Sequence, residues 1–235
     1  MTRREFIGSG IGAMSIAAIG SPKRGRLGSR NVYDIWSQLP YDSEVEYLGS
    51  TGTQYIDTCY VGSSVSTQFS IEYRIEDLVT NKTVLGSRVN PSSRHCWVSF
   101  IPEGVQVGYG GAYYNVPLKI GIGSRIRVIG SIVNGRFQYV CENLLSGEIN
   151  TWSSALMSFP CTNKYVFWNG VLSPKSMRLY SLRFWEFESS ELAADYIPVR
   201  ITNEYGETEG VLYDRVSGMF FHNIGTGSFI IGPDV

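Results

Sequence analysis

The sequence predicts an all-β fold in which two antiparallel sheets pack face to face as a sandwich. Its 235 residues include 26 glycines and 13% aromatic side chains but only 17% charged ones, a composition typical of many short strands joined by tight turns. Apolar and polar residues alternate from Val65 to Ile75, which indicates a strand with one buried face and one solvated face. Similar short segments follow with almost no helical period, and this pattern favours a two-sheet sandwich.

Further strands are expected at short intervals along the chain. They are predicted at Thr83–Ser87, His95–Ile101, Val105–Tyr109, Arg125–Val133, Arg136–Cys141, Lys164–Trp168, Met177–Phe187, Tyr196–Ile201, Val211–Asp214, Met219–Phe221 and Phe229–Ile231. Asn134-Gly135 separates two of them and is the strongest hairpin signal, because both residues tolerate positive φ. One helical turn is expected near Ser190–Ala194. These elements predict a single domain over residues 31–235, behind an export signal and flexible linker over residues 1–30.

The amino-terminal segment resembles a twin-arginine export signal. Arg3 and Arg4 form the arginine pair, Phe6 follows two positions on, and a weakly apolar stretch runs from Ile7 to Ile19. That stretch is too short to span a bilayer but suits the core of a signal peptide. We therefore expect the twin-arginine translocase as a partner during export and a periplasmic, secreted or cell-surface location. A cytoplasmic protein with a fortuitous start is the alternative.

Charge is distributed unevenly along the chain. Residues 1–30 hold six basic side chains and one acidic one, which leaves 14 basic against 20 acidic side chains in the remainder. Nucleic acid and anionic membrane surfaces are therefore unexpected partners, because binding to them draws largely on lysine and arginine. No run of 18 or more apolar residues is present, so no membrane-spanning helix is expected in the mature chain.

Metal-ligating and nucleophilic side chains are sparse. The cysteines and histidines are Cys59, Cys96, Cys141, Cys161, His95 and His222. None of the cysteines forms a CxxC pair and no Asp-rich loop is present, so neither a zinc nor a calcium site is expected, and no cofactor is implied. Four cysteines allow three disulfide pairings, and the sequence leaves open both the pairing and the alternative that each is a small buried apolar side chain.

Three stretches resemble a large group of bacterial and phage-borne proteins. Val45–Thr58 reads VEYLGSTGTQYIDT, close to the group's opening EYIESTGTQYIDTG, and Val84–Arg88 is similar to its xFGxR strand. Asp195–Arg200 (DYIPVR) and Gly210–Asn223 (GVLYDRVSGMFFHN) resemble its closing DFIPVR and LYDxVSGxFFxN motifs. The resemblance covers about residues 44–235 and implies a concanavalin A-like, laminin-G-like jelly roll. Cys59 stands where the group commonly has glycine.

These motif residues are expected to serve folding rather than binding. Asp214 is expected to accept backbone N–H groups at a turn, and Gly218 to adopt positive φ there. Gly225, Gly227 and Gly232 are expected to allow close chain crossing near the carboxyl end.

A catalytic site is not expected. Jelly rolls of this class include laminarinase-like glucanases, in which two glutamates flank an aspartate on one strand. Glu186–Glu191 (EFESSE) is the nearest match, but its middle acid is glutamate and its serines favour a solvated turn. No Ser/His/Asp grouping can be assembled around His95 or His222.

Carbohydrate binding is favoured at a glycine-rich turn, Gly108–Asn115. The candidate ligand contacts are Tyr109, Tyr113, Tyr114 and Asn115, because aromatic rings stack on sugar C–H groups and amides bind sugar hydroxyls; Trp97, Trp152 and Trp168 add further aromatic rings. The alternative is that these rings pack in the sandwich.

The sequence thus predicts an exported, non-catalytic module that binds a glycan, cell-surface polymer or other surface partner. A structural or adhesive protein of a phage particle or cell-surface assembly is the alternative, and a glycoside hydrolase is the third hypothesis.

Overall fold

Seventeen β-strands and no helix make up the described part of the chain, which in this computed structural model comprises residues 39–78, 82–87, 95–168, 176–187 and 191–235. In chain order the strands are β1 (Ser43–Glu44), β2 (Leu48–Thr51), β3 (Ile56–Asp57), β4 (Thr67–Ile75), β5 (Lys82–Ser87), β6 (His95–Ile101), β7 (Gly104–Tyr109), β8 (Ala112–Pro117), β9 (Arg125–Val133), β10 (Arg136–Asn143), β11 (Glu148–Ala155), β12 (Tyr165–Val166), β13 (Ser176–Glu186), β14 (Leu192–Thr202), β15 (Thr208–Asp214), β16 (Met219–Phe221) and β17 (Ile230–Ile231). Residues Pro40–Val235 form one compact unit.

The strands form two antiparallel sheets. The larger has the order β11-β10-β9-β4-β13-β14-β15-β16, with β2 pairing with β13, β17 pairing with β2, and β1 pairing with β14. The smaller has the order β3-β12-β5-β6-β7-β8. The predicted all-β sandwich of two antiparallel sheets is therefore confirmed.

The alternating segment forms β4 and supplies the centre of the core. Phe69, Ile71 and Tyr73 are fully buried, and burial of an apolar side chain such as Phe69 or Ile71 contributes about 1.5–3 kcal/mol. The strand begins at Thr67 rather than at Val65, because the Thr67 N–H donates to the Ser63 carbonyl and closes a turn. Val65 lies in that turn and is exposed.

Aromatic side chains from both sheets interleave in the core. Tyr109 on β7 stacks on Phe137 of β10, with ring centroids 4.4 Å apart and 9° between the planes. The Tyr139 hydroxyl crosses from β10 to donate to the carbonyl oxygen of Gly108 at 2.7 Å. The two sheets are thus joined by hydrogen bonds as well as by apolar contact.

Two hairpins use positive φ at both turn residues. Asn134 and Gly135 have φ of 50° and 69° and join β9 to β10, so the predicted hairpin is confirmed. Gly110 and Gly111 have φ of 59° and 88° and join β7 to β8. The predicted glycine-rich turn is therefore wrong in extent: only two residues turn, and those on either side pair in strands.

The helical turn expected near Ser190–Ala194 is also wrong in the described part of that range. Leu192–Ala194 begin β14, and Ala194 pairs with Phe184 on β13. Pairing with the long edge of β13 outweighs the weak local helical preference of this short segment.

The carboxyl-terminal motif closes the large sheet as predicted. Asp214 accepts the backbone N–H groups of Val216 and Ser217 at 3.1 and 3.2 Å, and Gly218 has a φ of 72°. A Cβ on Gly225 would lie 1.9 Å from the carbonyl oxygen of Thr53, so the predicted close crossing is present.

None of the four cysteines, all of which lie in the described residues, forms a disulfide. Cys96 and Cys141 are buried, and burial raises the pKa of each thiol to about 12. Both are therefore protonated at neutral pH. Cys59 is exposed and has a φ of 55°, the left-handed conformation that glycine adopts most easily.

The export-signal residues Arg3, Arg4 and Phe6 lie outside the described residues. Within those residues, no helix has the length and apolar character needed to cross a membrane.

Replacing Gly225 by alanine is expected to lower the free energy of unfolding by about 1–3 kcal/mol, because the new methyl group would overlap the Thr53 backbone. Denaturant titration would measure the loss. Gly121→Ala is the matched control, since a Cβ there meets nothing within 4 Å; equal losses in both variants would contradict the prediction.

The Cys59→Gly variant is expected to have a free energy of unfolding about 0.5–1 kcal/mol higher than that of the Cys59→Ala variant. Alanine retains the strain of the left-handed backbone conformation, whereas glycine does not. Thermal and denaturant unfolding of the two variants would test this. A less stable glycine variant would refute the prediction.

Candidate functional site

The candidate site lies on the face of the six-stranded sheet that points away from the core, called here the outer face. Side chains alternate along each strand, so Val98 and Val107 point into the core while Trp97, Gln106 and Tyr113 point outward. The outer face is therefore built from every second residue of β6, β7 and β8.

Aromatic residues and glycines alternate across the outer face, strand by strand. Tyr165 on β12 pairs with Gly86 on β5, and Trp97 on β6 pairs with Gly108 on β7, which pairs with Tyr113 on β8. The register between β5 and β6 shifts after Leu85, so Gly86 on β5 lies opposite the part of β6 that contains Trp97. These five residues are called the aromatic row.

A row of uncharged polar residues runs next to the aromatic row. Thr83, Ser99, Gln106 and Asn115 pair in sequence from β5 to β8. The Gln106 Nε2 donates to Asn115 Oδ1 at 3.0 Å. The exposed fraction rises from 0% at Thr83 and 1% at Ser99 to 8% at Gln106, and Asn115 at the sheet edge is exposed.

Tyr113 and Asn115 are the accessible ends of these two rows. The Tyr113 ring is 55% exposed and packs edge-on against Trp97, with centroids 6.0 Å apart at 77°. Trp97 is only 7% exposed and donates from Nε1 to Thr83 Oγ1 at 3.3 Å. The Asn115 Oδ1 accepts the hydrogen bond from Gln106. The Asn115 Nδ2 has no hydrogen-bond partner among the described residues. The edge thus presents one supported ring beside one amide donor.

The other two predicted ligand contacts point elsewhere. Tyr114 lies on the core side of β8 and stacks on Trp152 of β11, with centroids 3.9 Å apart at 24°; this stack closes the gap between the edges of the two sheets. Tyr109 was expected on a turn, and that expectation is wrong because it lies on the core side of β7 and is fully buried.

The Tyr109 hydroxyl has a structural role. It donates to the Ser64 carbonyl at 2.9 Å and accepts the Met157 N–H at 3.1 Å. Burial raises the pKa of Tyr109, so the hydroxyl stays protonated at neutral pH. It therefore fixes two loops at one end of the sandwich.

The solvated turn predicted for Glu186–Glu191 is wrong for its first residue. Glu186 is the last residue of β13, and its carboxylate accepts hydrogen bonds from Tyr60 at 2.7 Å, from Thr67 at 3.2 Å and from Ser66. Glu191 is exposed. Glu188 lies outside the described residues.

The outer face of the large sheet has a different chemistry. Glu72 on β4 bridges Arg125 at 2.5 Å and Arg127 at 3.3 Å, and the Arg125 guanidinium lies 3.7 Å from the centre of the Tyr180 ring. A cleft of about 290 Å³ borders this network at Glu44, Arg125 and Tyr180. The charged side chains there are already paired, whereas the aromatic row and the polar row of the small sheet contain no charged side chain.

A second cleft, of about 490 Å³, lies between the β14–β15 hairpin and the closing loop. Its lining includes Asn203, Glu207, Glu209 and Asn223. Asn203 donates to Glu207 at 2.8 Å, and His222 contacts Glu209 at 3.0 Å. Among the described residues, no group of three or more His, Cys, Asp or Glu side chains is placed to hold a metal ion.

Sequence reasoning missed Gln106, Gly108 and Tyr165 as parts of the outer face. A signal for the first two was present, because Gln106 and Gly108 alternate with Val105 and Val107 and so fall on the face opposite the core. Nothing local indicated that Tyr165, some fifty positions beyond Tyr113, would share that face.

Comparisons with known proteins identify the fold. A scan against protein-family models found no match, and a search of curated proteins found none. Among solved structures, the chain is similar to a provisionally assigned carbohydrate-binding protein from Bacteroides ovatus, at 14% identity and a TM-score of 0.54. The match covers 80% of this chain and 60% of that protein, so the chain spans less than two thirds of its length.

Two further solved structures show weaker likeness. They are domain 4 of AbnA, an extracellular arabinanase from Geobacillus stearothermophilus in complex with arabinotriose (18% identity, TM-score 0.37, 54% of this chain and 62% of that one), and a heptameric SAP-like pentraxin from Limulus polyphemus (8% identity, TM-score 0.44, 84% and 98%). Only the likeness to the Bacteroides ovatus protein exceeds a TM-score of 0.5, and it concerns the fold alone, which is the two-sheet sandwich predicted from the sequence.

Tyr109→Phe is expected to lower the free energy of unfolding by about 1–3 kcal/mol, because it leaves the Ser64 carbonyl and the Met157 N–H without their buried partner. Denaturant titration would measure it. Tyr205→Phe is the control, because Tyr205 is 81% exposed, and it should change stability by less than about 0.5 kcal/mol. An equal loss in both variants would contradict the structural role of the Tyr109 hydroxyl.

Proposed function

We propose that this chain is a non-catalytic β-sandwich module that binds carbohydrate at the β8 edge of its outer face. The observation that carries the proposal is the exposed Tyr113 ring, supported by Trp97 and flanked by the Asn115 amide. A sugar presents an apolar C–H face and a rim of hydroxyls, and a supported ring beside an amide donor complements both.

The rigidity of this edge favours binding. Tyr113 and Asn115 lie on a paired strand, and each is held by a neighbour on the same face. Little side-chain freedom is therefore lost on binding, and the cost of ordering such groups otherwise reduces affinity. The fold-level likeness to the Bacteroides ovatus protein supports the same class of ligand without assigning it.

Charge favours an uncharged ligand. The accessible member of the polar row is Asn115, and its uncharged amide exchanges hydrogen bonds with sugar hydroxyls at little desolvation cost. The arginines and glutamates that a charged ligand would need lie on the large sheet, where they already pair with one another.

Export through the twin-arginine pathway is part of the proposal and rests on Arg3, Arg4 and Phe6. It places the module in the periplasm, outside the cell or at the cell surface, where polysaccharide is accessible. Replacing both arginines by lysine should retain the protein in the cytoplasm, as fractionation and immunoblotting would reveal; unchanged export would contradict this part.

The binding test uses the full chain in affinity gels that contain laminarin, xylan, arabinan or mannan. Tyr113→Ala is expected to weaken retention by the bound polysaccharide about fivefold or more, because loss of a ring that stacks on a planar ligand costs about 1–3 kcal/mol. Tyr205→Ala is the matched control, since Tyr205 is 81% exposed on the β14–β15 hairpin, outside the outer face. Equal retention of both variants would reject the proposed site.

The competing hypotheses give different results in the same preparation. Release of reducing sugar that disappears in Glu186→Gln would support hydrolysis, although the Glu186 carboxylate is already bound by three hydroxyls. A stable trimer or filament in light scattering, without retention by any polysaccharide, would support a structural or adhesive protein.

A further inference from the structure

A second aromatic surface lies at the opposite end of the outer face, where β3 and β12 meet. Asp57 on β3 pairs with Tyr165 on β12. Their chain neighbours Ile56 and Val166 are fully buried, so Asp57 and Tyr165 share the outer face. The residues of this second surface are Tyr55, Asp57, Asn163, Tyr165 and Trp168.

The three rings of the second surface form a platform. Trp168 packs against Tyr55 with centroids 4.5 Å apart at 48°, and against Tyr165 with centroids 5.0 Å apart at 70°. All three rings are partly exposed. The Trp168 ring is tilted against Tyr55 and edge-on to Tyr165, so the partly exposed rings support one another and each can stack separately on the C–H face of a sugar.

A carboxylate is held in place beside the platform. Asp57 accepts the Cys59 N–H at 2.8 Å on one oxygen and the Asn163 Nδ2 at 2.9 Å on the other. Burial raises the pKa of Tyr165, and the nearby Asp57 carboxylate raises it further. A fixed carboxylate accepts hydrogen bonds from hydroxyl groups and repels anions.

The adjacent lysine does not neutralise this carboxylate at the surface. Lys164 is fully buried, and its ammonium donates to the carbonyl oxygens of Val61 and of Thr162, the latter at 2.6 Å. The second surface therefore combines stacking rings with a net acceptor character, which fits neutral sugars and disfavours uronic acids and sulfated sugars.

The two ends of the outer face are separate. Strand spacing of about 4.8 Å places Tyr165 on β12 about 19 Å from Tyr113 on β8, four strands away. Thr83 and Ser99, which lie between them, are 0% and 1% exposed. One short oligosaccharide therefore contacts one end only.

We infer that the Tyr55–Tyr165–Trp168 platform, with Asp57 and Asn163, is a second binding site for a neutral sugar unit, so that one module engages two segments of polysaccharide. This inference rests on the proposed function. Two linked sites hold a polymer more tightly than either site holds a short ligand, because the second contact forms within the complex.

The test titrates the full chain with a short oligosaccharide of the polysaccharide retained in the affinity gels, using calorimetry. We expect a stoichiometry of two in the unmodified chain, one in Tyr113→Ala, one in Trp168→Ala and none in the double variant. Each single variant should also lower affinity for the intact polymer at least about tenfold. Tyr205→Ala is the control and should retain both sites.

An isosteric variant guards against misfolding of Trp168→Ala. In the Tyr113→Ala background, Asp57→Asn keeps the size of the side chain but removes its charge, and it should weaken the remaining oligosaccharide binding about tenfold. It should also reduce the discrimination against polygalacturonate and alginate.

The outcomes separate the two proposals. A stoichiometry of one that is lost in Tyr113→Ala and unchanged in Trp168→Ala and Asp57→Asn overturns the second site and leaves the proposed function intact. A stoichiometry of one that is lost in Trp168→Ala alone overturns both the Tyr113 site and the two-site arrangement. Binding of none of the four neutral polysaccharides overturns both proposals.

Discussion

Tyrosine hydroxyls that cross the core to backbone carbonyls hold the two sheets of this protein in place. Tyr139 on the large sheet donates to Gly108 on the small sheet at 2.7 Å, and Tyr196 donates to the carbonyl of Thr58, next to β3, at 3.0 Å. Apolar contact is non-directional and tolerates sliding, whereas a buried hydroxyl without a partner costs free energy. These bonds therefore fix how the sheets lie over one another.

This constraint reaches the outer face through the backbone. Gly108, which receives the Tyr139 hydrogen bond, is the glycine of the aromatic row that pairs with both Trp97 and Tyr113. Thr58, which receives the Tyr196 hydrogen bond, follows Asp57 of the second surface. The core side chains and the candidate binding side chains thus share the same strands, and each end of the outer face is anchored from beneath by a tyrosine.

The two outer faces of the sandwich divide the surface chemistry. On the large sheet, the mostly buried Glu72 carboxylate pairs at close range with Arg125 and Arg127, so these charges already have partners within the protein. On the small sheet, rings, hydroxyls and amides predominate, and exposure increases towards both sheet edges. A neutral, hydroxyl-rich ligand is therefore complementary to the outward side of the small sheet and not to that of the large sheet.

The sequence by itself determined the fold class and much of the local structure. Alternation over β4 and the positive φ at Asn134-Gly135 are local properties of the chain, and so are the turn contacts of Asp214. They were readable because they depend on neighbours within a few positions. The carboxyl-terminal motif was likewise interpretable as turn chemistry and close crossing.

Only the tertiary structure decided which aromatic side chains face outward and which of them meet. Tyr109, Tyr113 and Tyr114 are nearly adjacent in sequence, yet the two-residue turn at Gly110-Gly111 places one in the core, one on the outer face and one against Trp152. Strand pairing between distant segments brought Tyr165 and Trp168 beside Asp57. Register is set by contacts far apart in the chain, and a change of one residue in register exchanges the core face for the outer face.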